Sequence, residues 1–213
     1  MKKLNKFILL IILNPLSSFS TEIHEHHCVD SGVDKIYQLL TRYSDYTTME
    51  GSKYSVNLAG AEVDLIQMIK SQSKLLISTQ SQREDLVWLV LQPALINDAK
   101  LYPRFLLNCK VEQTGSTSFE QVCLLQKEKQ HFGLSDLIIK IHANSSDLLC
   151  KTGNTGIKID IEIQGNSIEI DQIKKATLGP AGILAPLVST LFDEDAFFRS
   201  YFRNLYHHWT KSL

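Results

Sequence analysis

One short segment near the start of the chain concentrates side chains that bind metal ions. It consists of His24, Glu25, His26, His27 and Cys28. If the segment is a β-strand, alternate residues share a face, so His24, His26 and Cys28 would point the same way. No fourth ligand is identifiable, and alternating polar residues are also typical of a solvated edge strand. We therefore expect no metal site and no cofactor.

The sequence contains none of the short motifs that mark a catalytic centre. It has no Gly-x-Ser-x-Gly elbow, no His-Glu-x-x-His pair and no glycine-rich phosphate loop. Asp136 and His142 share one face of a predicted strand, but six residues hold them about 20 Å apart, too far for a dyad. We therefore assign no catalytic residue.

Asp195 is the one acidic residue with two distinct interpretations. On a continuous C-terminal helix it would lie among Leu191, Phe198 and Phe202, where apolar surroundings would raise the pKa of its carboxyl group and suit it to acid–base chemistry. At the start of a new helix it would instead be an ordinary first-turn acid that the helix dipole stabilises. The second interpretation is favoured.

Four cysteines allow two disulfide bonds. Residues 104–126 are predicted to form two strands around a turn at 114–117. If that loop centres on Ser116, Cys109 faces Cys123 on the same side of the sheet, close enough to bond. A shift of one residue would remove this pairing. A Cys28–Cys150 bond follows only by elimination, and two separate, small buried side chains are slightly favoured there.

Residues 1–20 have the pattern of a bacterial-type signal peptide. Lys2, Lys3 and Lys6 precede an apolar run at 7–13, and small residues then lead up to a cleavage point before Thr21. The apolar run is much shorter than the roughly 20 residues that a membrane-spanning helix needs. We expect a periplasmic or secreted protein without stable membrane insertion. An uncleaved anchor is the alternative.

Composition favours one globular domain over residues 21–213. The chain has 213 residues, 44% of them hydrophobic, and its 22 basic residues nearly balance 23 acidic ones. A nucleic-acid binder would carry a basic excess, so nucleic acid is not an expected partner. We expect the domain to be a monomer.

The mature part is predicted to begin with a strand at 21–30 and two short helices. Ser31 and Asp34 resemble a capping box ahead of the apolar positions of the first helix. A second short helix or turn is predicted at 43–49. Period-two patterns then predict strands at 54–59, 63–69, 74–79, 86–91, 105–111, 119–125, 137–142, 157–163 and 168–173.

The last predicted hairpin and the C-terminal helix carry the strongest apolar patterns. Alternate residues from Ile157 to Ile163 are isoleucine, and a turn at 165–166 would pair them with residues 168–173. Such a wall must be covered by another element. After Gly182 the chain is predicted to be helical to about Lys211, with a break at Phe192 as the alternative. Its apolar stripe contains Leu184, Leu187, Val188, Leu191, Phe198, Phe202, Leu205 and Trp209.

This order of elements resembles the START-like superfamily, which includes Bet v 1-type proteins and the polyketide cyclase and lipid-transport group. The local similarity is best over residues 29–46, where Thr41, Tyr43 and Tyr46 resemble a family segment. The family commonly has Asp-x-Tyr there, whereas this chain has Arg42 before Tyr43. The resemblance implies an α+β helix-grip fold, in which a curved antiparallel sheet wraps around a long C-terminal helix and encloses an apolar cavity.

From this resemblance we expect an exported binding protein that holds a lipid or other hydrophobic small molecule between the sheet and the C-terminal helix. The expected ligand-lining residues are Leu184, Leu187, Leu191, Phe198, Phe202 and Leu205. Three alternatives remain: a cyclase- or hydrolase-type enzyme that uses a carboxylate or histidine in the cavity, an interaction module with an exposed apolar patch, and a solid core without a cavity.

Overall fold

A computed structural model describes residues 18–41, 53–58, 61–93, 104–126, 134–166, 194–211 and 213. Within them the chain forms eight strands and two helices, which we number in chain order. The elements are β1 (Ser18–Val29), α1 (Val33–Thr41), β2 (Lys53–Leu58), β3 (Ala61–Ser78), β4 (Gln82–Pro93), β5 (Arg104–Gly115), β6 (Ser118–Leu125), β7 (Leu134–Asn144), β8 (Thr155–Asn166) and α2 (Glu194–Lys211). The predicted helix at 43–49 and the strand at 168–173 lie outside the described residues.

The strands form one antiparallel sheet that curves around α2. Their order is β1-β8-β7-β6-β5-β4-β3-β2, so β1 and β2 are the two edges of the sheet that the described strands form. Neighbouring strands lie about 4.8 Å apart, which would separate these edges by about 34 Å in a flat sheet. Nevertheless α2 makes its main contacts with both β1 and β2, while α1 packs on β6 and β7. The predicted α+β helix-grip architecture is therefore confirmed.

The apolar positions of α1 are buried as the helical spacing predicted. Ile36 and Leu40 are almost fully buried. The predicted capping box is wrong, however, because the Ser31 hydroxyl donates to the Leu213 carbonyl oxygen, to which Lys35 Nζ also donates at 2.9 Å. The carbonyl of Gly32 accepts the first hydrogen bonds of the helix instead. The start of α1 is thus tied to the residues that follow α2.

The most regular part of the apolar inner face lies on β8, next to the edge strand β1. Ile157, Ile159, Ile161 and Ile163 all have 0% exposure, whereas Lys158, between them, is exposed. β8 pairs with β1 on one side and with β7 on the other. The apolar alternation of the predicted isoleucine wall is therefore confirmed. Its predicted pairing with residues 168–173 is wrong, because β1 and β7 occupy both sides of β8 and the residues of the predicted turn, Gly165 and Asn166, belong to the strand.

The third strand differs from the prediction. Residues 63–69 and 74–79 were expected to form two strands, but β3 is one strand of 18 residues. Its pairing with β4 shifts register between Met68 and Lys70 and again between Leu75 and Ile77. β-Bulges of this type insert an extra residue without ending the strand. The break in the period-two pattern therefore marks irregular pairing within a continuous strand.

Both disulfide bonds are present. Cys109 faces Cys123 in the β5–β6 register that the turn predicted, and the two residues are bonded. The interpretation of Cys28 and Cys150 as separate buried residues is wrong, because they are bonded to each other and Cys28 is exposed. The second bond joins the end of β1 to the loop between β7 and β8, two segments whose proximity only the sheet order reveals.

Neither α1 nor α2 combines the length and the apolar character that a membrane span requires.

The buried face predicts a large difference between two isoleucine truncations. Ile161→Ala removes side-chain atoms from a fully buried site and should lower the free energy of unfolding by about 3 kcal/mol. Ile77→Ala, at a strand residue that is 48% exposed, should cost less than about 1 kcal/mol. Urea denaturation of both variants measures the difference. Equal losses would contradict the assignment of the inner face.

Candidate functional site

Helix α2 places three of the six predicted ligand-lining residues against the inner side of the sheet. Phe198, Phe202 and Leu205 are buried at 7%, 3% and 1% exposure. Phe198 stacks on Phe19 of β1 with ring centroids 5.6 Å apart, and the same ring lies 6.5 Å from Phe202. Three predicted lining residues therefore share one apolar surface.

The other half of the stripe falls outside the described residues. This applies to Leu184, Leu187 and Leu191, which precede α2 in the chain. Asp195 lies within α2, but its side chain is not among those described.

The apolar inner face contains a buried ion pair that sequence reasoning missed. Asp85 is fully buried, and it faces the inner side because it pairs with Cys109 and alternates with Val87 and Leu89. Arg83 precedes it on the same face, and its Nε donates to Asp85 Oδ2 at 2.6 Å. Opposite charges two residues apart on an otherwise apolar strand face were the available signal.

Gln121 adds a second polar group to this surface. It lies on the inner face of β6 with 2% exposure, and its Nε2 has no hydrogen-bond partner among the described residues. Val111 separates it from Arg83, since Val111 pairs with Gln121 on one side and with Arg83 on the other. Arg83, Asp85 and Gln121 therefore form an inner polar patch, spread over about 10 Å at the ordinary strand spacing.

A separate set of polar side chains lies where β1 meets α2. Arg203 Nε donates to Glu25 Oε1 at 2.7 Å, and Arg199 Nη1 donates to the Glu22 carbonyl oxygen at 2.7 Å. His27 Nε2 is 3.9 Å from Glu25 Oε2. These contacts fasten the helix to the edge of the sheet, and we call Glu25, His27 and Arg203 the β1–α2 seam.

Burial governs protonation in and beside the seam. It lowers the pKa of His27, and the nearby His207 and His26 lower it further, while Glu25 acts in the opposite direction. Burial also raises the pKa of Tyr201 and Tyr206 on α2 far above its ordinary value. Both phenols are therefore neutral at physiological pH and unsuited to act as bases.

The inner carboxylates are better suited to a structural role than to acid–base catalysis. On those inner strands and helices whose side chains are described, the two carboxylates, Glu25 and Asp85, each bind an arginine. An arginine partner occupies lone pairs of a carboxylate. Asp136 and His142 share a face of β7, as predicted, and that face is the outer one.

One face of β1 carries His24, His26 and Cys28, as predicted, and it is the outer face. His24 Nδ1 lies 2.7 Å from Asp160 Oδ1, and His26 Nε2 lies 3.0 Å from Asp147 Oδ2. These side chains face away from the inner polar patch.

Comparisons with known proteins give similarity in structure only. No family model and no curated protein sequence matches the chain. A solved STAR-related lipid transfer protein from Xanthomonas axonopodis is 10% identical, with a TM-score of 0.44 over 80% of this chain and 85% of that one. A truncated norcoclaurine synthase from Thalictrum flavum is 12% identical, with a TM-score of 0.37 over 85% of this chain and 99% of that one.

The helix-grip fold that the START-like resemblance implied is confirmed. The strand order and the contact of α2 with both sheet edges, seen in this chain itself, carry that assignment. The ligand and the activity have to be inferred from the side chains.

The lowered pKa of His27 predicts a pH dependence of stability. Between this lowered value and about 6.5 the unfolded chain binds more protons than the folded one, so His27 destabilises the fold as the pH falls through that window. His27→Gln should therefore reduce the stability lost between pH 7 and pH 5. Urea midpoints at the two pH values measure this change.

His24→Gln, on the opposite face of β1, is a comparison variant that should change the pH dependence in the opposite direction. The hydrogen bond to Asp160 raises the pKa of His24, so its contribution to stability is complete below about 6.5 and is lost as the pH rises through the raised value. This variant should therefore lose more stability than the wild type between pH 7 and pH 5. Identical losses in all three proteins would refute both assignments.

Proposed function

We propose that this chain is an exported, non-enzymatic binding protein that holds a lipid or other hydrophobic molecule between its sheet and its C-terminal helix. The observation that carries the proposal is the Gln121 amide, which lies buried on the apolar inner face with its Nε2 unbonded within the described residues. Buried polar groups almost always have a partner, so an unbonded one calls for a specific explanation. A bound ligand supplies the partner.

The geometry of the grip supports a ligand site at this position. Helix α2 makes its main contacts with the edge strands β1 and β2, and the strands between them curve away from it. A sheet that curves away from its covering helix leaves room above its central strands, and apolar spaces of this type are the usual small-molecule sites. Gln121 lies on β6, one of those central strands.

The distribution of polar groups indicates an amphipathic ligand. A hydrocarbon part would pack on the isoleucine wall and on Phe198 and Phe202. An oxygen of the ligand would accept a hydrogen bond from Gln121 Nε2, two strands away from Arg83. We retain Leu184, Leu187 and Leu191 as proposed lining residues, and we propose that the protein acts as a monomer without nucleic acid.

A cyclase- or hydrolase-type enzyme is the second candidate. It would need a carboxylate or an imidazole that can exchange a proton with the ligand. Arg203 and Arg83 already bind Glu25 and Asp85, which argues against a carboxylate as that group. His27, whose buried Nε2 has no hydrogen-bond partner among the described residues, is the imidazole that such an enzyme would use.

Two disulfide bonds fit an extracellular or periplasmic location, where such bonds persist. We propose that residues 1–20 are the signal peptide and that Thr21 begins the mature protein. Ser18, Phe19 and Ser20 belong to β1 in the intact chain, so this cleavage would shorten the strand by three residues and remove the Phe19 ring that stacks on Phe198. Thr21 would remain paired with Ile163.

Native purification should recover the protein with a bound lipid. We expect mass spectrometry of the protein and of its organic extract to show a co-purified acyl-chain molecule. The protein should also bind a fluorescent fatty acid that unlabelled fatty acid displaces. An empty protein that ignores such probes would contradict the proposal.

Gln121→Leu should separate ligand recognition from folding. Leucine has a similar size and removes the unbonded amide, so stability should be unchanged or increased while affinity for the fluorescent fatty acid falls about fivefold or more, the loss of one hydrogen bond. Leu149→Gln, at a loop residue that is 74% exposed, is the control and should leave affinity unchanged. If the Gln121→Leu variant and the wild type bind the fatty acid with equal affinity, the Gln121 amide does not contact the ligand.

A further inference from the structure

Three metal-binding side chains meet on the outer surface, on the side of the sheet opposite the proposed ligand site, and a carboxylate lies beside one of them. Ligand atoms of His26, Cys28 and Cys150 all lie within 4.8 Å of one another. Asp147 joins them, because its Oδ2 is 3.0 Å from His26 Nε2. The first two residues come from β1, and the other two from the loop between β7 and β8.

We propose that reduction of the Cys28–Cys150 disulfide creates a zinc site formed by Cys28, Cys150, His26 and Asp147. A dithiol reductant supplies two electrons and two protons: the sulfur–sulfur bond breaks, two thiols form, and the reductant becomes a disulfide. Each thiol then releases its proton as its sulfur binds Zn²⁺. The oxidised protein has no thiolates at this position and should not bind the metal there.

The donor set and its spacing suit zinc. Two thiolates, an imidazole and a carboxylate are all ordinary zinc ligands, and a structural site needs four of them. Ligand atoms of a tetrahedral zinc site lie about 3.3–3.8 Å apart, given metal–ligand distances of about 2.0–2.3 Å. The ligand atoms of His26, Cys28 and Cys150 are at most 4.8 Å apart, and Asp147 Oδ2 is 3.0 Å from His26 Nε2. Bringing them around one ion requires side-chain movement, which breaking the disulfide permits.

Local structure holds Asp147 in place. Its Oδ1 accepts the Leu149 amide at 2.9 Å, and its backbone carbonyl accepts the amide of Cys150 at 3.1 Å. The carboxylate lies directly over Gly156 of β8, where a Cβ atom would overlap it.

Exposure distinguishes this disulfide from the other one. Cys28 is exposed, whereas Cys109 and Cys123 are only 1% and 5% exposed in the core. A dissolved reductant therefore reaches the outer bond first, and the inner bond maintains the β5–β6 pairing. Zinc would then preserve the link between β1 and the β7–β8 loop when the covalent bond is lost.

The test is a cobalt titration of the full chain before and after reduction. The protein is treated with dithiothreitol, freed of reductant under anaerobic conditions, and titrated with Co²⁺. We expect one equivalent to bind with a sulfur-to-cobalt charge-transfer band, and Zn²⁺ to displace it. The oxidised protein should show no such band, and circular dichroism should show the same fold in both forms.

Matched variants assign the ligands. Cys28→Ser combined with Cys150→Ser should abolish the band, and His26→Gln should weaken Co²⁺ binding tenfold or more, while His24→Gln, on the same face of the same strand, should not change it. The proposal is wrong if the reduced chain unfolds or shows no band, if the band survives the double serine variant, or if both histidine variants behave alike. None of these outcomes bears on lipid binding at the inner face.

Discussion

The burial of the isoleucine wall on β8 is the interaction on which the rest of the structure depends. Each fully buried isoleucine contributes roughly 1.5–3 kcal/mol to folding, and four of them lie in alternation along one strand. An antiparallel sheet with one apolar face must cover that face. One helix is too narrow to cover eight strands, so the sheet curves until both of its edges reach the helix. The helix-grip shape follows from this requirement.

Because the inner face is apolar, each polar group on it needs a specific partner. A buried carboxylate is tolerated when a guanidinium pairs with it, as Arg83 does with Asp85. The Gln121 amide has no comparable partner within the described part of the chain. The interior therefore combines a wide apolar wall with a few polar atoms at defined positions, which is the arrangement expected of a site for an amphipathic molecule.

Alternation and turn chemistry predicted much of the fold. Period-two patterns gave the buried face of β8, and the turn after β5 gave the register that places Cys109 opposite Cys123. Both signals are local: the first depends on residues that are neighbours along one strand, and the second depends on one short turn. The β1–β8 pairing that brings Cys28 to Cys150 is a long-range contact, and no local pattern encodes it.

The site was less predictable than the fold. Helical spacing predicted that Phe198, Phe202 and Leu205 face the sheet. Arg83 and Asp85 are charged, and charged residues on a strand usually face solvent. Only their alternation with Val87 and Leu89 indicates that they face inward. Ser31 shows the same limit, since its sequence context favours a helix cap while its hydroxyl donates to Leu213.

The central claim is that the space between sheet and helix admits a hydrophobic molecule, and paramagnetic NMR tests it most directly. A fatty acid with a nitroxide in mid-chain would be added to the isotopically labelled protein. The account predicts selective broadening of the amide signals of Gln121, Ile139 and Ile161, on the inner strands. Broadening confined to the exposed loop at Leu148 and Leu149, or none at all, would contradict it.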